Sequence, residues 1–168
     1  MKALITFKPL AFSLFLLFTQ DTSAIVFEVT TPEEFQAALT AAASNGGSDE
    51  ILLDASEFIG NFYYLAEEAF DLVIRPKDAT GEAILNANGK SFGLFIRGDF
   101  LEFDVLLERL NVKNAIHFDA GGGIRAERIM GKLRLKSVTI DNCYADSGAA
   151  LWADEILEVE LIDTIITK

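Results

Sequence analysis

A chain of 168 residues with 14 Lys and Arg against 26 Asp and Glu, net −12, has a balance that argues against nucleic acid or an anionic membrane as an electrostatic partner, because both need a basic face. At 51% hydrophobic it is too apolar for a disordered acidic segment, and one Cys and one His exclude an intrachain disulfide, a Cys-clustered zinc site and a multi-histidine metal site. Fourteen Phe against one Trp and three Tyr is also unlike the composition of a polysaccharide-stacking surface.

Residues 1–24 have the layout of a secretory signal. Lys2 and Lys8 precede or flank the apolar run Leu10–Phe18, and Thr22-Ser23-Ala24 offers small residues before a cut. The run is shorter than the ~20 residues a spanning helix needs. The mature chain is therefore expected to begin at Ile25, to be exported to the cell surface or beyond (outer membrane or periplasm in a Gram-negative cell), and to form one domain, 25–168, with no transmembrane segment. Cys143 reads as a small buried hydrophobe rather than a reactive thiol.

Ile25–Val29 is the first expected strand. Thr31-Pro32-Glu33-Glu34 then starts a helix, with Thr31 as N-cap, Pro32 in the first turn and Glu34 closing a capping box. Phe35, Ala38, Leu39 and Ala42 fall on one apolar stripe, and Asn45-Gly46-Gly47 ends a helix of about 13 residues. Everything later reads as short strands: Ile51–Leu53, Leu72–Ile74, Ala83–Leu85 and Phe92–Ile96 stand between Gly, Asn and Asp.

The second half repeats. Val105-Leu107-Leu110-Val112-Asn114 recurs as Leu133-Leu135-Val138-Ile140-Asn142 at an offset of 28, and Leu157-Val159-Ile162-Thr164 forms a third copy at an offset of 24. Apolar residues at x and x+2, then x+5 and x+7, describe one strand face, a corner, and the same face resumed. Gly121-Gly122-Gly123-Ile124 likewise matches Gly148-Ala149-Ala150-Leu151 at an offset of 27. Strands and corners at such a period are the coils of a β-solenoid, about five of them here; an antiparallel sandwich would not repeat the phase slip. Asn114 and Asn142 are expected either to stack as an internal amide ladder or to serve as ordinary turn residues. The third copy has neither Pro nor Gly to stop further pairing. The chain is expected to be part of a longer solenoid, or to pair its last strand with another chain end to end.

The stretch 27–58, the GGGIRAE of 121–127 and the DNCYADSGAALWAD of 141–154 resemble exported right-handed parallel β-helix proteins of the pectate-lyase-like superfamily. The two later segments are similar to the repeats of polymorphic outer-membrane and autotransporter-passenger proteins. The resemblance implies an all-β, right-handed parallel β-helix of about five coils with an N-terminal capping α-helix. It also implies a surface-associated, adhesin-like binding or structural role toward a glycan or surface protein.

The same superfamily holds polysaccharide lyases and glycoside hydrolases, so an enzyme, or a piece of one, is the alternative. The hydrolase pattern of paired Asp beside Gly-His-Gly is missing, since His117 sits in Ala-Ile-His-Phe. A calcium-dependent lyase would need Asp99, Asp104, Asp119, Asp141 and Asp154 to converge beside an Arg or Lys. His117 reads as a surface or turn residue, and Gly121–Gly123 as a tight corner, because no Lys-Ser/Thr follows it. Arg125, Arg128, Lys132, Arg134 and Lys136 form the one positive stretch and read as a solvated face. No catalytic, metal or cofactor-binding residue is assigned, and no cofactor is expected.

Overall fold

A computed structural model describes residues 24–167; the expected signal, apart from Ala24, lies outside them. The chain winds into a parallel β-solenoid of about five turns with one short helix near its start. In chain order the elements are β1 (Ile25–Val29), α1 (Pro32–Ala42), β2 (Asp49–Leu53), β3 (Glu57–Ile59), β4 (Phe62–Leu65), β5 (Leu72–Pro76), β6 (Ala83–Asn86), β7 (Leu94–Leu101), β8 (Val105–Glu108), β9 (Leu110–Lys113), β10 (Ile124–Lys136), β11 (Thr139–Asp141), β12 (Leu151–Ile162) and β13 (Ile165–Ile166).

Three faces follow from the pairing. The first stacks β1, β2, β5, β8 and the second half of β10 and β12, and the second stacks β3, β6, β9, β11 and β13. The third stacks β4, β7 and the first half of β10 and β12. All pairs are parallel. Leu107 pairs with Leu135 and Val112 with Ile140, the offset of 28 expected from the repeat. Ile124 pairs with Leu151, the offset of 27.

The third copy differs. Leu133 pairs with Val159 and Ile140 with Ile166, an offset of 26 rather than 24. A two-residue shift leaves every side chain on its expected face, so alternation could not distinguish the two registers.

The core is a column of inward side chains. Ile51, Ile74, Leu107 and Leu135 stack along the first face, and Leu85, Val112 and Ile140 along the second, all with no exposed surface. At the N-terminal end α1 lies across β1, β2 and β4. Its capping box forms as expected: the Thr31 hydroxyl accepts from Glu34 N at 3.2 Å and the Glu34 carboxylate accepts from Thr31 N at 3.2 Å. The helix is 11 residues and stops at Ala43. It buries Phe35, Ala38, Leu39 and Ala42, and the Phe35 ring packs 4.6 Å from Phe62 and 5.7 Å from Phe58. Burying Phe35 and Leu39 contributes about 1.5–3 kcal/mol each.

Candidate functional site

The corner between the second and third faces is tight in the first coil and longer in the later ones. It is residues 60–61 in the first coil, then 87–93, 114–123 and 142–150. The longer loops still stack. His117 N donates to Tyr144 O at 2.9 Å, Tyr144 N to Ala115 O at 2.8 Å, and Gly89 N to Asn114 O at 2.7 Å. Gly121, with φ +74°, turns the third-coil loop back toward its strand, a conformation that a side chain disfavours. A Cβ on Gly123 would stand 2.6 Å from Ala150 O, so the triple glycine is the tight corner the sequence implied.

An amide ladder runs along this corner. Asn114 Nδ2 donates to Asn86 Oδ1 at 3.1 Å, and Asn142 Nδ2 donates to Asn114 Oδ1 at 2.7 Å. Asn86 extends the ladder one coil down and donates to Glu57 Oε1 at 2.9 Å, which with Lys113 holds the Glu57 carboxyl below its ordinary range. The ladder forms, and Asn114 and Asn142 are at the same time left-handed turn residues with φ of 56° and 48°, so the turn reading holds and the ladder reading holds except for its place. The ladder is not internal: Asn114 is half-buried and Asn142 exposed. Facing outward, asparagine can take the left-handed turn and still leave amide capacity toward solvent.

Asn88, Gly89, Asn114, Ile116, Asn142, Cys143 and Tyr144 line a groove of about 520 Å³. Ile116 is 40% and Tyr144 56% exposed within it. A second groove continues past Ile116 to Lys90, His117, Asp119 and Phe118, which is 80% exposed. Beside them, Tyr63, Phe95, Arg125 and Trp152 occupy one outward column of the third face. Phe92 joins the column to the loops, its ring 4.9 Å from Tyr63, 5.3 Å from Phe95 and 5.6 Å from His117. The Arg125 guanidinium lies 5.6 Å from the Phe95 ring centre. Although the composition favours Phe over Trp and Tyr, the coil register thus brings Tyr63, Phe95, Trp152 and Phe92 together beside the corner loops.

The other candidates are dispersed. His117 is a half-buried turn residue whose Nδ1 accepts from Asp119 N at 3.4 Å. Cys143 is half-buried, its thiol raised by burial and donating to Asp141 O at 3.3 Å. Asp99 pairs with Arg97 and Arg128, Asp104 accepts from Lys132 N, Asp119 pairs with Arg125, and Asp141 accepts from the Thr167 hydroxyl. Asp154 points outward on the third face, beside Glu127 of the preceding coil. Among the described residues no group of three His, Cys, Asp or Glu could hold a metal ion.

The positive stretch is neutralised, Arg125 from its own strand and the other four residues from neighbouring coils. Arg125 pairs with Glu127, Arg128 with Glu155 at 3.2 Å, Lys132 with Glu158 at 2.8 Å, Arg134 with Glu160, and Lys136 with Glu108 at 2.9 Å. Further along the same face Arg75 reaches Glu50 at 2.6 Å. Such part-exposed pairs are worth about 0–1 kcal/mol each. Their main effect is to penalise coils stacked out of register. No helix among the described residues is long and apolar enough to cross a membrane. No family model matches the chain, and neither a curated protein nor a solved structure does.

Proposed function

We propose that this chain is an exported, surface-associated β-helix protein with a binding or structural role, and that its contact site is the corner groove over Asn114 and Asn142. The finer kinship with polymorphic outer-membrane and autotransporter-passenger repeats, within the pectate-lyase-like superfamily, belongs to the same proposal. The observation that carries it is the juxtaposition of an amide ladder with exposed Tyr144, Ile116 and Phe118 along three stacked loops. Carboxamides hydrogen-bond neutral hydroxyls, and aromatic faces stack on the apolar face of a sugar ring. The coil repeat offers such contacts again at each ~4.8 Å step, which suits an extended glycan over a compact ligand. The first face is a poorer candidate, because its cations already hold carboxylate partners.

The test is titration of neutral and acidic oligosaccharides against the purified protein, followed by calorimetry. Tyr144→Ala and Phe118→Ala are expected to weaken binding at least tenfold while leaving the melting temperature in place, since both side chains are more than half exposed. Binding that ignores both substitutions removes the corner groove from the proposal. Appearance of new reducing or unsaturated ends in the same mixtures would move the chain to the enzyme class.

A further inference from the structure

We propose that the corner groove takes an uncharged glycan on a row of carboxamide N–H donors, and that Asn86, which does not line the groove, sets the direction of that row. The inference rests on the reading of the groove as a glycan site and names the class of glycan.

Asn86 ends β6, one coil before the Asn114 of the groove, and lies between two groups whose roles cannot be exchanged. The ionised Glu57 carboxylate, held by Lys113 Nζ at 3.2 Å, can only accept, and it accepts from Asn86 Nδ2 at 2.9 Å. The backbone N–H of Asn88 can only donate, and it donates to Asn86 Oδ1 at 2.9 Å. Turning the Asn86 carboxamide over would set its oxygen against the carboxylate and its N–H against that of Asn88. Its oxygen therefore faces Asn114, whose Nδ2 donates to it at 3.1 Å, and Asn114 in turn offers its oxygen to Asn142 Nδ2 at 2.7 Å. One orientation, set at Asn86, is copied from coil to coil.

That direction decides what the groove offers. Each of the three carboxamides uses one N–H on the preceding coil and keeps a second, while the oxygens of Asn86 and Asn114 are engaged by the coil that follows. The result is a row of donors with a ~4.8 Å step, which the hydroxyl and ring oxygens of an extended sugar chain can meet. Charge then sets the class. Among the described residues no Lys, Arg, His, Asp or Glu lines the groove at Asn114, in a chain of net −12. The continuation past Ile116 adds Lys90, His117 and Asp119, and Arg125 beside it is paired with Glu127. A polyuronate, with a carboxylate on every sugar, would meet one lysine along the whole groove of an acidic protein, whereas hydroxyls need no cation.

Calorimetry with cellohexaose, mannohexaose, chitohexaose and hexagalacturonate tests the class. At least one neutral hexamer is expected to bind at least tenfold more tightly than hexagalacturonate and to lose that affinity in Tyr144→Ala. Asn86→Ala, checked for a folded melt, is expected to weaken the same binding at least fivefold. In nuclear magnetic resonance it should also shift or split the Nδ2 proton signals of Asn114 and Asn142. The double variant Glu57→Gln, Asn86→Asp exchanges donor and acceptor between the two positions but leaves an oxygen facing Asn114, so it should restore both signals and affinity. Hexagalacturonate binding as tightly as the best neutral hexamer overturns the proposal; loss of that binding in Tyr144→Ala would keep the groove as a glycan site of another class. Asn86→Ala without effect on the Asn114 signals, or a double variant no better than Asn86→Ala, overturns the positioning role. Binding of none of the four hexamers removes the glycan reading of the groove and this proposal with it.

Discussion

The two ends of the solenoid solve the same problem differently. At the N-terminal end α1 lays Phe35 and Leu39 over the first coil, and neither retains any exposed surface. At the other end Leu157, Val159, Leu161 and Ile166 occupy the outermost coil with nothing over them among the described residues. A stacked coil buries its neighbour but cannot bury itself, so the free energy of a β-solenoid depends on what covers its first and last turns. Eleven helical residues with a capping box suffice at one end.

The comparison breaks first at Phe35. Phe35→Asp puts an unpaired carboxylate against Phe58 and Phe62, at a cost of several kcal/mol. The protein is expected to be unfolded at room temperature by circular dichroism; an unchanged melt would show that α1 is not the cover.

Next in size is a matched pair, Leu135 and Leu161, register partners on adjacent coils. Leu135→Ala is expected to cost about 2–5 kcal/mol in denaturant unfolding. Leu161→Ala should cost less than about 1 kcal/mol, because much of that side chain is already in water. Equal losses would mean that the last coil is covered in solution. Gly123→Ala drives a wedge between the third and fourth coils, since the new Cβ meets Ile140 and Ala150. A loss of about 1–3 kcal/mol is expected, with amide exchange accelerated more over 139–166 than over 49–65.

The smallest effect is the response to acid, and two carboxyls at opposite ends, Asp49 and Glu160, contribute with opposite sign. Near α1, burial raises the Asp49 carboxyl above its ordinary 3.8, against the hydrogen bond from Asn45. Its charged form therefore opposes folding at neutral pH, and that penalty disappears as pH falls through its folded value. At the open end the hydrogen bond from Arg134 lowers Glu160 below 4.5, a contribution present above that pH and lost as pH falls through its folded value. Glu160→Gln should therefore reduce the loss of protection over 151–166 that acidification from about pH 7 to about pH 3 brings in hydrogen exchange, after correction for intrinsic rates. Asp49→Asn should raise the melting temperature at neutral pH and leave it unchanged at about pH 3.

Much of this fold is local enough to read from the chain. The α1 capping box spans four residues, and the offset of 28 is visible because Leu107 and Leu135, or Val112 and Ile140, share both face and register. Less legible is what depends on stacking. β3 and β4 escape notice because their outward residues Ile59, Tyr63 and Leu65 are as apolar as inward Phe58, Phe62 and Tyr64, which erases the alternation. The basic stretch looks like one charged face until the carboxylates some 26 to 28 residues away arrive beside it. Composition counts aromatics without locating them, and only the coil register puts Tyr63 beside Phe95. The corner groove is half legible: the repeat marks Asn114 and Asn142, whereas Tyr144, Ile116 and Asn86 carry no signal of their own.

Parallel pairing between successive coils has a mechanical consequence. The hydrogen bonds that join one turn to the next run along the solenoid axis, so tension between the two ends loads them one after another. Leu107 to Leu135 and Leu135 to Leu161 measure coils of 28 and 26 residues, and each turn peeled away releases roughly 90 Å of extended chain. Under force the molecule would lengthen in regular steps that begin at the fifth coil and reach the helix last.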